Sequence, residues 1–255
     1  DILERYVAID NKCAWPNLTL MPDDSIVASI FGEPCHLLWE GQGECWRSQD
    51  GGRSWSFLSV PVPNEKGTAR GNLAAGLTHG GALVVVCTGR SNVSPKGIMP
   101  SKSTPQPFLA PIVARSEDGG ATWTHESQVF APAASKLLLF GNVVMLPGGR
   151  LAVSCYSSAD DRDENGDSAW IYFSDDDGRT WGDARLIGER YNETNLLALG
   201  EGKMLAASRT ARTAKTEIFA SSTGGQSWTC RGAVTPARHM PAHLLQLQDE
   251  SILLT

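Results

Sequence analysis

Four stretches of the chain repeat one eight-residue pattern: SQDGGRSW (Ser48–Trp55), SEDGGATW (Ser116–Trp123), SDDDGRTW (Ser174–Trp181) and SSTGGQSW (Ser221–Trp228). Their template is Ser-x-Asp-x-Gly-x-x-Trp, with Thr223 in place of Asp in the fourth copy. In the first three copies an Asp can accept hydrogen bonds from the amides of its own turn, and in all four a Gly can adopt positive φ without steric cost. The pattern therefore predicts a hairpin turn with a structural role, followed by a Trp that packs across neighbouring strands.

A second repeat precedes each of these boxes and consists of a strand, a Gly- or Asp-rich turn and a more apolar strand. Its five copies are PNLTLMPDDSIVAS from Pro16, GNLAAGLTHGGALVVVC from Gly71, GNVVMLPGGRLAVSCY from Gly141, ETNLLALGEGKMLAASR from Glu193 and PAHLLQLQDESILLT from Pro241. Two strands from this repeat and two around the box give four per unit, which is one blade of a β-propeller. The spacing of the boxes also falls in the range typical of propellers and arrays.

The expected organisation is a single β-propeller domain over residues 1–255. It would hold four whole blades near 10–62, 68–130, 137–188 and 190–235, and the start of a fifth at 240–255. The segment Ile2 to Ile9 is expected to be a strand that closes the last blade.

Composition excludes several classes of function. The chain has 255 residues with 22 Lys and Arg against 28 Asp and Glu, a net charge of −6, and no cluster of basic residues. We therefore expect neither nucleic acid nor a membrane as a partner. Because the six Cys form no Cys-x-x-Cys pair, we expect no structural metal. We expect no cofactor either. Cys87 and Cys155 lie in apolar runs typical of buried thiols, whereas the sequence leaves open whether Cys35 and Cys45 pair.

A propeller whose blades carry Ser-x-Asp-x-Gly-x-x-Trp resembles the sialidase (neuraminidase) superfamily with its Asp-box or BNR repeats. The resemblance implies an all-β, six-bladed propeller with its active site on the axis, of which about four and a half blades are present here. It also implies removal of a terminal sugar with retention, through a Tyr nucleophile paired with Glu. Three Arg side chains would bind the substrate carboxylate.

The strongest local resemblance is in blade four, YNETNLLALGEGKMLAASR. By position in that phrase, Glu193 would activate the Tyr and Arg209 would be one of the three Arg. The alternative is an exposed Glu at a strand start and an Arg at a strand edge. The nucleophile and the third Arg are expected beyond Thr255, because Tyr156 and Tyr191 fall at other blade positions.

Blade one departs from the family pattern. Ala14-Trp15-Pro16 stands where sialidases have an Arg-Ile-Pro phrase, so the first Arg is missing. Arg70, just before Asn72, is a candidate replacement, with a solvated loop Arg as the alternative.

The loop GEPCHLLWEGQGECW also lacks the family's acid/base Asp. Glu40, with Glu44 behind it, and His36 are the candidate proton carriers. Trp39 could form an apolar wall or stack on a sugar ring.

Residues at strand starts complete the set of candidates. His243 begins the inner strand of blade five, where it is either a substrate contact or a packed histidine. Asn17, Asn72 and Asn142 recur at strand starts, where they either cap the turn or contact sugar hydroxyls. The acidic run Asp160 to Asp167 is expected to be a solvated hairpin tip rather than a calcium loop.

The favoured function is a sialidase-like, exo-acting glycoside hydrolase that removes a terminal acidic sugar from a glycan. The alternatives are a non-catalytic carbohydrate-binding propeller, and a lyase or other glycosidase that uses His36. A glycan substrate favours a secreted or periplasmic location. With fewer than six blades, the chain is either part of a longer protein or is completed by another copy, which would make it a homo-oligomer.

Overall fold

The computed structural model describes residues 6–12, 15–99, 101, 104–127, 136–157 and 166–255. Within these ranges the chain is all-β, with eighteen strands and one 3-10 turn at Pro147–Gly149. The first sheet contains β1 (Asn17–Leu20), β2 (Ile26–Phe31), β3 (Gly43–Ser48) and β4 (Ser56–Val62). The second contains β5 (Thr68–Leu77), β6 (Leu83–Ser91), β7 (Phe108–Ser116) and β8 (Thr124–Ser127).

The same order of strands recurs along the rest of the chain. The third sheet contains β9 (Leu137–Met145), β10 (Leu151–Ser157), β11 (Ser168–Ser174) and β12 (Gly182–Glu189). The fourth contains β13 (Tyr191–Gly200), β14 (Lys203–Thr210), β15 (Thr216–Ser221) and β16 (Thr229–Ala233). A hairpin of β17 (Leu244–Gln246) and β18 (Ile252–Leu254) follows. Each four-stranded unit is an antiparallel meander, as the two sequence repeats predict.

The first strands of the successive sheets lie next to one another. β5 contacts β1 on one side and β9 on the other, and β13 contacts both β9 and β17. A parallel pairing of Ala75 with Asn142 joins the second and third sheets into one eight-stranded sheet. Residues at the ends of these first strands are therefore brought together from all parts of the sequence.

The core lies between the sheets rather than inside any one of them. One apolar cluster packs Val84 and Val86 of the second sheet against Leu151 and Val153 of the third. A second cluster packs Phe173 of the third sheet against residues of the fourth. The second sheet is covered on one face by the third sheet, at Val84 and Val86, and on the other by the first sheet, at Val85 and Cys87, so β6 reads as the nearly continuous apolar run LVVVC. Cys87 and Cys155 are buried in these strands, as predicted, and Cys35 and Cys45 are free thiols.

The Asp boxes form the predicted hairpin turns. In the first box, Ser48 Oγ donates to Asp50 Oδ1 over 2.8 Å, and the amide of Ser54 donates to the same oxygen over 2.9 Å. The amide of Gly52 donates to Ser48 Oγ over 2.8 Å, which closes the turn. Equivalent bonds recur in the other boxes, where Thr223 Oγ1 replaces the carboxylate in the fourth. The predicted structural role of this motif is confirmed.

Two other predictions need correction. Residues 6–9 form no strand, and the remainder of the proposed closing strand Ile2–Ile9 lies outside the described residues. Asp167 is buried rather than solvated, and its carboxylate accepts a hydrogen bond from Asn192 Nδ2 over 3.1 Å. Residues 160–165 of that acidic run lie outside the described part. In the part of the chain that the structure describes, no helix could cross a bilayer and no cluster of three metal-ligating side chains occurs.

Candidate active site

A cavity of about 250 Å³ opens where the first strands of the sheets meet. Its lining comes from both ends of the sequence, and five of the predicted candidates are among it: Asn17, His36, Asn72, Glu193 and His243. Sequence reasoning did not assign two further polar lining residues, Arg90 and Tyr156. A concave site with a few convergent polar groups is the usual form of a small-molecule site, and this volume suits a single sugar unit.

One wall of the cavity is built around Trp15 and His36. Their rings meet edge to face, with centroids 4.6 Å apart and planes at 78°. Trp15 and Leu37, which also lines the cavity, both have positive φ, at 68° and 57°. Bulky residues rarely adopt this conformation, and such outliers concentrate at functional sites.

Another part of the cavity lining carries Glu193, the predicted partner of the nucleophile, and Glu193 is paired with Arg209, the predicted carboxylate-binding Arg. Arg209 Nη1 donates to Glu193 Oε2 over 2.9 Å, and both side chains are largely buried, at 20% and 13% exposure. Glu193 lines the cavity, whereas Arg209 is not part of the lining and contacts a lining residue, Glu193. Glu193 is therefore not the exposed Glu of the alternative interpretation, although Arg209 does lie at the end of β14. The ion pair therefore places a carboxyl group and a guanidinium side by side at the cavity.

Tyr156 lies close to this pair. The phenol belongs to β10, which pairs with β9 at Leu138, another residue of the cavity lining. Burial raises the pKa of Tyr156, and the negative charges of Glu193 and Asp167 raise it further. Tyr156 is thus a neutral hydroxyl at working pH. By contrast, Tyr191 donates to Glu217 Oε2 over 2.5 Å and does not line the cavity.

His243 is fixed in position and in tautomer by Asn195. Asn195 Oδ1 accepts from the amide of Leu244 over 2.9 Å, so the orientation of its side-chain amide is set by a backbone donor. Its Nδ2 then donates to Asn142 Oδ1 and to His243 Nδ1, each over 2.9 Å. Because Nδ1 is the acceptor, the proton of the neutral ring lies on Nε2. Burial lowers the pKa of His243, which favours this neutral form.

The Asn residues at strand starts have different partners. Asn17 Nδ2 donates to the Leu73 carbonyl of the next sheet over 3.0 Å, and Asn142 binds Asn195 as described. These bonds connect neighbouring sheets. Asn72 lines the cavity, and its buried Oδ1 has no hydrogen-bond partner among the described residues. This oxygen is an acceptor suited to a hydroxyl group of a ligand.

Glu40 and Trp39, both predicted site residues, lie outside the cavity lining. The segment that carries them pairs with Ser94: Trp39 forms a parallel bridge to it, and the amide of Glu40 donates to its carbonyl over 2.8 Å. Glu40 Oε1 accepts from the amide of Gly67 over 2.9 Å. Glu44, its alternative, is paired with Lys12 at 2.9 Å. These contacts give the two Glu side chains structural partners away from the cavity.

Arg70 is also absent from the cavity lining. Its Nη1 donates instead to the carbonyl of Ala110 over 2.9 Å. Arg90, at the end of β6, lines the cavity instead. No sequence signal identifies the two missed residues, because the feature that they share depends on burial. Arg90 lies two positions after Thr88 in β6, and Tyr156 lies two positions after Ser154 in β10. Both Thr88 and Ser154 are fully buried hydroxyl residues.

Comparison with known proteins identifies the family and the fold. The fold is that of sialidase-like glycoside hydrolases. The BNR repeat-like domain family matches residues 45–254, and the chain belongs to this family. A sialidase from Micromonospora viridifaciens is 27% identical over 278 residues, which cover 93% of this chain and 39% of that protein. The chain therefore spans about two fifths of the curated relative it matches.

Solved structures show the same fold. A protein of unknown function from Dyadobacter fermentans superposes with a TM-score of 0.77 at 19% identity, covering 95% of this chain and 74% of that one. The NanB sialidase from Streptococcus pneumoniae superposes with a TM-score of 0.73 at 12% identity, covering 96% and 56%. At these identities the likeness concerns the fold.

Proposed function

We propose that the protein is a sialidase-like, exo-acting glycoside hydrolase that removes a terminal acidic sugar from a glycan. The sheets would be consecutive blades of a six-bladed propeller, and the cavity would be its axial site. The observation that carries the proposal is the ion pair of Glu193 and Arg209 at a cavity that also holds a neutral phenol, a neutral imidazole and a guanidinium.

The roles follow from the chemistry of these groups. Glu193 is the group that exchanges a proton with the attacking nucleophile, and Arg209 holds its carboxylate in place. His36 is the remaining candidate for protonating the leaving oxygen, since Glu40 is bound to Gly67. Asn72 and His243 supply an acceptor and a donor to sugar hydroxyls. The sialidase resemblance implies a Tyr nucleophile and a third Arg in addition to these residues.

Aryl glycosides of sialic acid, glucuronic acid, galacturonic acid, rhamnose and galactose would test the proposal. We expect release of the aryl group from an acidic glycoside, and a loss of about 10²- to 10⁴-fold in kcat in Glu193→Gln. Glu201→Gln is the matched control, because Glu201 is exposed in the turn between β13 and β14.

Other outcomes would favour the alternatives. Cleavage of neutral glycosides alone would refute the acidic substrate. A lyase needs a uronate with a second sugar at O4 as the leaving group, so an unsaturated product from a uronic-acid oligosaccharide, lost in His36→Ala, would indicate a lyase. Saturable binding without any cleavage would indicate a carbohydrate-binding protein.

A further inference from the structure

Four basic side chains gather around one turn of the fourth sheet, between β14 and β15. This basic cluster consists of Arg190, Arg212, Lys215 and Arg238. In the part of the chain that the structure describes, none of the four side chains makes a hydrogen bond or an ion pair. Basic side chains elsewhere have acidic partners, since Lys12, Arg115 and Arg150 contact carboxylates at 2.9, 2.5 and 2.7 Å.

Backbone hydrogen bonds hold together the three segments that carry the cluster. The amide of Ala211 donates to the carbonyl of Arg190 over 3.0 Å, and the amide of Arg238 donates to the carbonyl of Ala214 over 2.6 Å. Lys215 follows Ala214 directly. The fold thus assembles the cluster from residues that are far apart in the sequence.

The backbone of the cluster is held in an unusual conformation. Arg190, Ala214 and Arg238 have positive φ, at 67°, 50° and 67°. Residues with a side chain rarely adopt such angles, and they keep them only where the surrounding structure enforces them, often at functional sites. The positions of the basic residues are therefore set by the packed backbone.

The cluster adjoins the cavity. Arg190 lies three positions before the lining residue Glu193, and Arg238 lies three positions before the lining residue Pro241. Because three residues span at most about 11 Å, the backbones of both Arg residues lie within that distance of the cavity lining. Arg212 lies in the turn that contacts them both. A glycan whose terminal sugar occupies the cavity can therefore reach the cluster with its next sugars.

The carboxylates around the cluster leave its cations available. Three of them are engaged with other side chains, namely Asp167 with Asn192, Glu193 with Arg209 and Glu217 with Tyr191. Glu189 is exposed and forms no ion pair with the described part of the cluster. Because the chain as a whole carries a net charge of −6, attraction of an anionic chain requires a local group of cations such as this one.

We propose that the basic cluster binds the carboxylate groups of an acidic glycan whose terminal sugar occupies the cavity. The assignment rests on the proposed function and narrows its substrate class to glycans with acidic sugars beyond the terminal one. Arg and Lys side chains form charge-assisted hydrogen bonds with such groups. Nucleic acid is the less suitable polyanion, because segments 210–215 and 235–240 contain no Phe, Tyr or Trp on which a base could stack.

Calorimetric titration with matched glycans would test the assignment. One pair is the α2,8-linked tetramer of N-acetylneuraminic acid beside 3′-sialyllactose, which has one acid and a neutral remainder. The other pair is a hyaluronan hexasaccharide ending in glucuronic acid beside its terminal disaccharide. Titration of Glu193→Gln keeps the glycans intact.

In at least one pair, we expect the glycan with several acids to bind about 10- to 100-fold more tightly, as one or two additional charged hydrogen bonds would give. This preference should shrink as the salt concentration rises from about 20 to 500 mM, because salt screens exposed charges.

Variants locate the effect. Adding Arg212→Gln and Arg238→Gln should reduce the binding of the longer glycan to that of its partner and leave the partner's binding unchanged. Adding Arg53→Gln and Arg179→Gln is the matched control, since it removes the same charge from two exposed positions in Asp-box turns. The comparison of the two glycans before these changes does not depend on the variants folding.

Four results would overturn the assignment: binding of none of the glycans, equal binding within both pairs, a preference that survives Arg212→Gln with Arg238→Gln, or an equal loss in the control. Equally tight binding of a single-stranded DNA oligonucleotide of the same charge would also overturn it, in favour of a nucleic-acid site.

The same experiments separate this assignment from the proposed function. A preference that depends on Arg212 and Arg238, without cleavage of any glycan by the wild type, would leave the cluster assigned and refute the hydrolase. Cleavage of the tetramer and of 3′-sialyllactose with equal kcat/KM, and without a binding preference, would do the reverse.

Discussion

Asn195 joins three successive parts of the fold, and its removal should therefore destabilise the protein strongly. The residue is fully buried and bonds to Asn142 of the third sheet, and to His243 and Leu244 of the hairpin. Asn195→Ala removes three hydrogen bonds, each with a net contribution of about 0.5–1.5 kcal/mol. It also leaves the buried amide of Leu244 unpaired. We expect a loss of about 2–4 kcal/mol in the free energy of unfolding.

Urea denaturation followed by Trp fluorescence would measure this loss. For a protein of this size, the same change lowers Tm by about 5–15 °C in calorimetry. Gln248→Ala is the control, since it removes an exposed amide from the turn of the same hairpin and should change stability by less than about 0.5 kcal/mol. An Asn195→Ala variant within about 0.5 kcal/mol of the wild type would refute the reasoning.

The same residue allows a test of the histidine tautomer. In Asn195→Asp a carboxylate faces His243 Nδ1, so the protonated ring gains an acceptor where it previously met a donor. The pKa of His243 should therefore rise, as followed by side-chain NMR across pH 4 to 8. An unchanged or lower pKa would contradict the assignment of Nδ1 as the acceptor.

Three further predictions concern other parts of the structure. A double-mutant cycle of Glu193→Gln and Arg209→Gln should give a coupling of about 1–3 kcal/mol in urea denaturation, and a value below about 0.5 would mean that the pair acts like a surface ion pair. Hydrogen bonds from Ser54 and Ser48 lower the pKa of Asp50 to about 2. The contribution of this carboxylate to the free energy of unfolding is therefore present above about pH 4 and is lost as the pH falls toward 2. The urea midpoint of the wild type should therefore fall more steeply than that of Asp50→Asn over this window, and parallel curves would contradict the bond network. Leu151→Ala should cost about 2–5 kcal/mol in the same assay, because this side chain is fully buried between the second and third sheets, while Leu186→Ala at an exposed site should cost far less.

The meanders and their turns were predictable because their determinants are local. The Ser, Asp and Gly of each box bond to one another within eight residues, as at Ser48 and Asp50. The alternation of strands with Gly-rich turns fixes the order of strands in each sheet in the same local way. The sequence phrase that starts at Glu193 likewise contains its ion-pair partner Arg209, and the fold brings Arg209 Nη1 to 2.9 Å from Glu193 Oε2.

The remainder of the site depends on contacts between distant segments. Glu40 and Trp39 were assigned to the cavity, but pairing with Ser94 holds the segment that carries them outside it, and nothing local in their loop indicates that partner. Arg90 and Tyr156 belong to different sheets, and they share the cavity only because the sheets pack side by side. Arg70 and Arg90 pair with neighbouring positions of the same two strands, so the sequence could not tell which one lines the cavity.

The most direct test of the central claim is a crystal structure of the protein soaked with N-acetylneuraminic acid or glucuronic acid. The account predicts one sugar in the cavity, in contact with both Glu193 and His243. A sugar bound elsewhere on the molecule, or one seated in the cavity out of reach of Glu193, would contradict it.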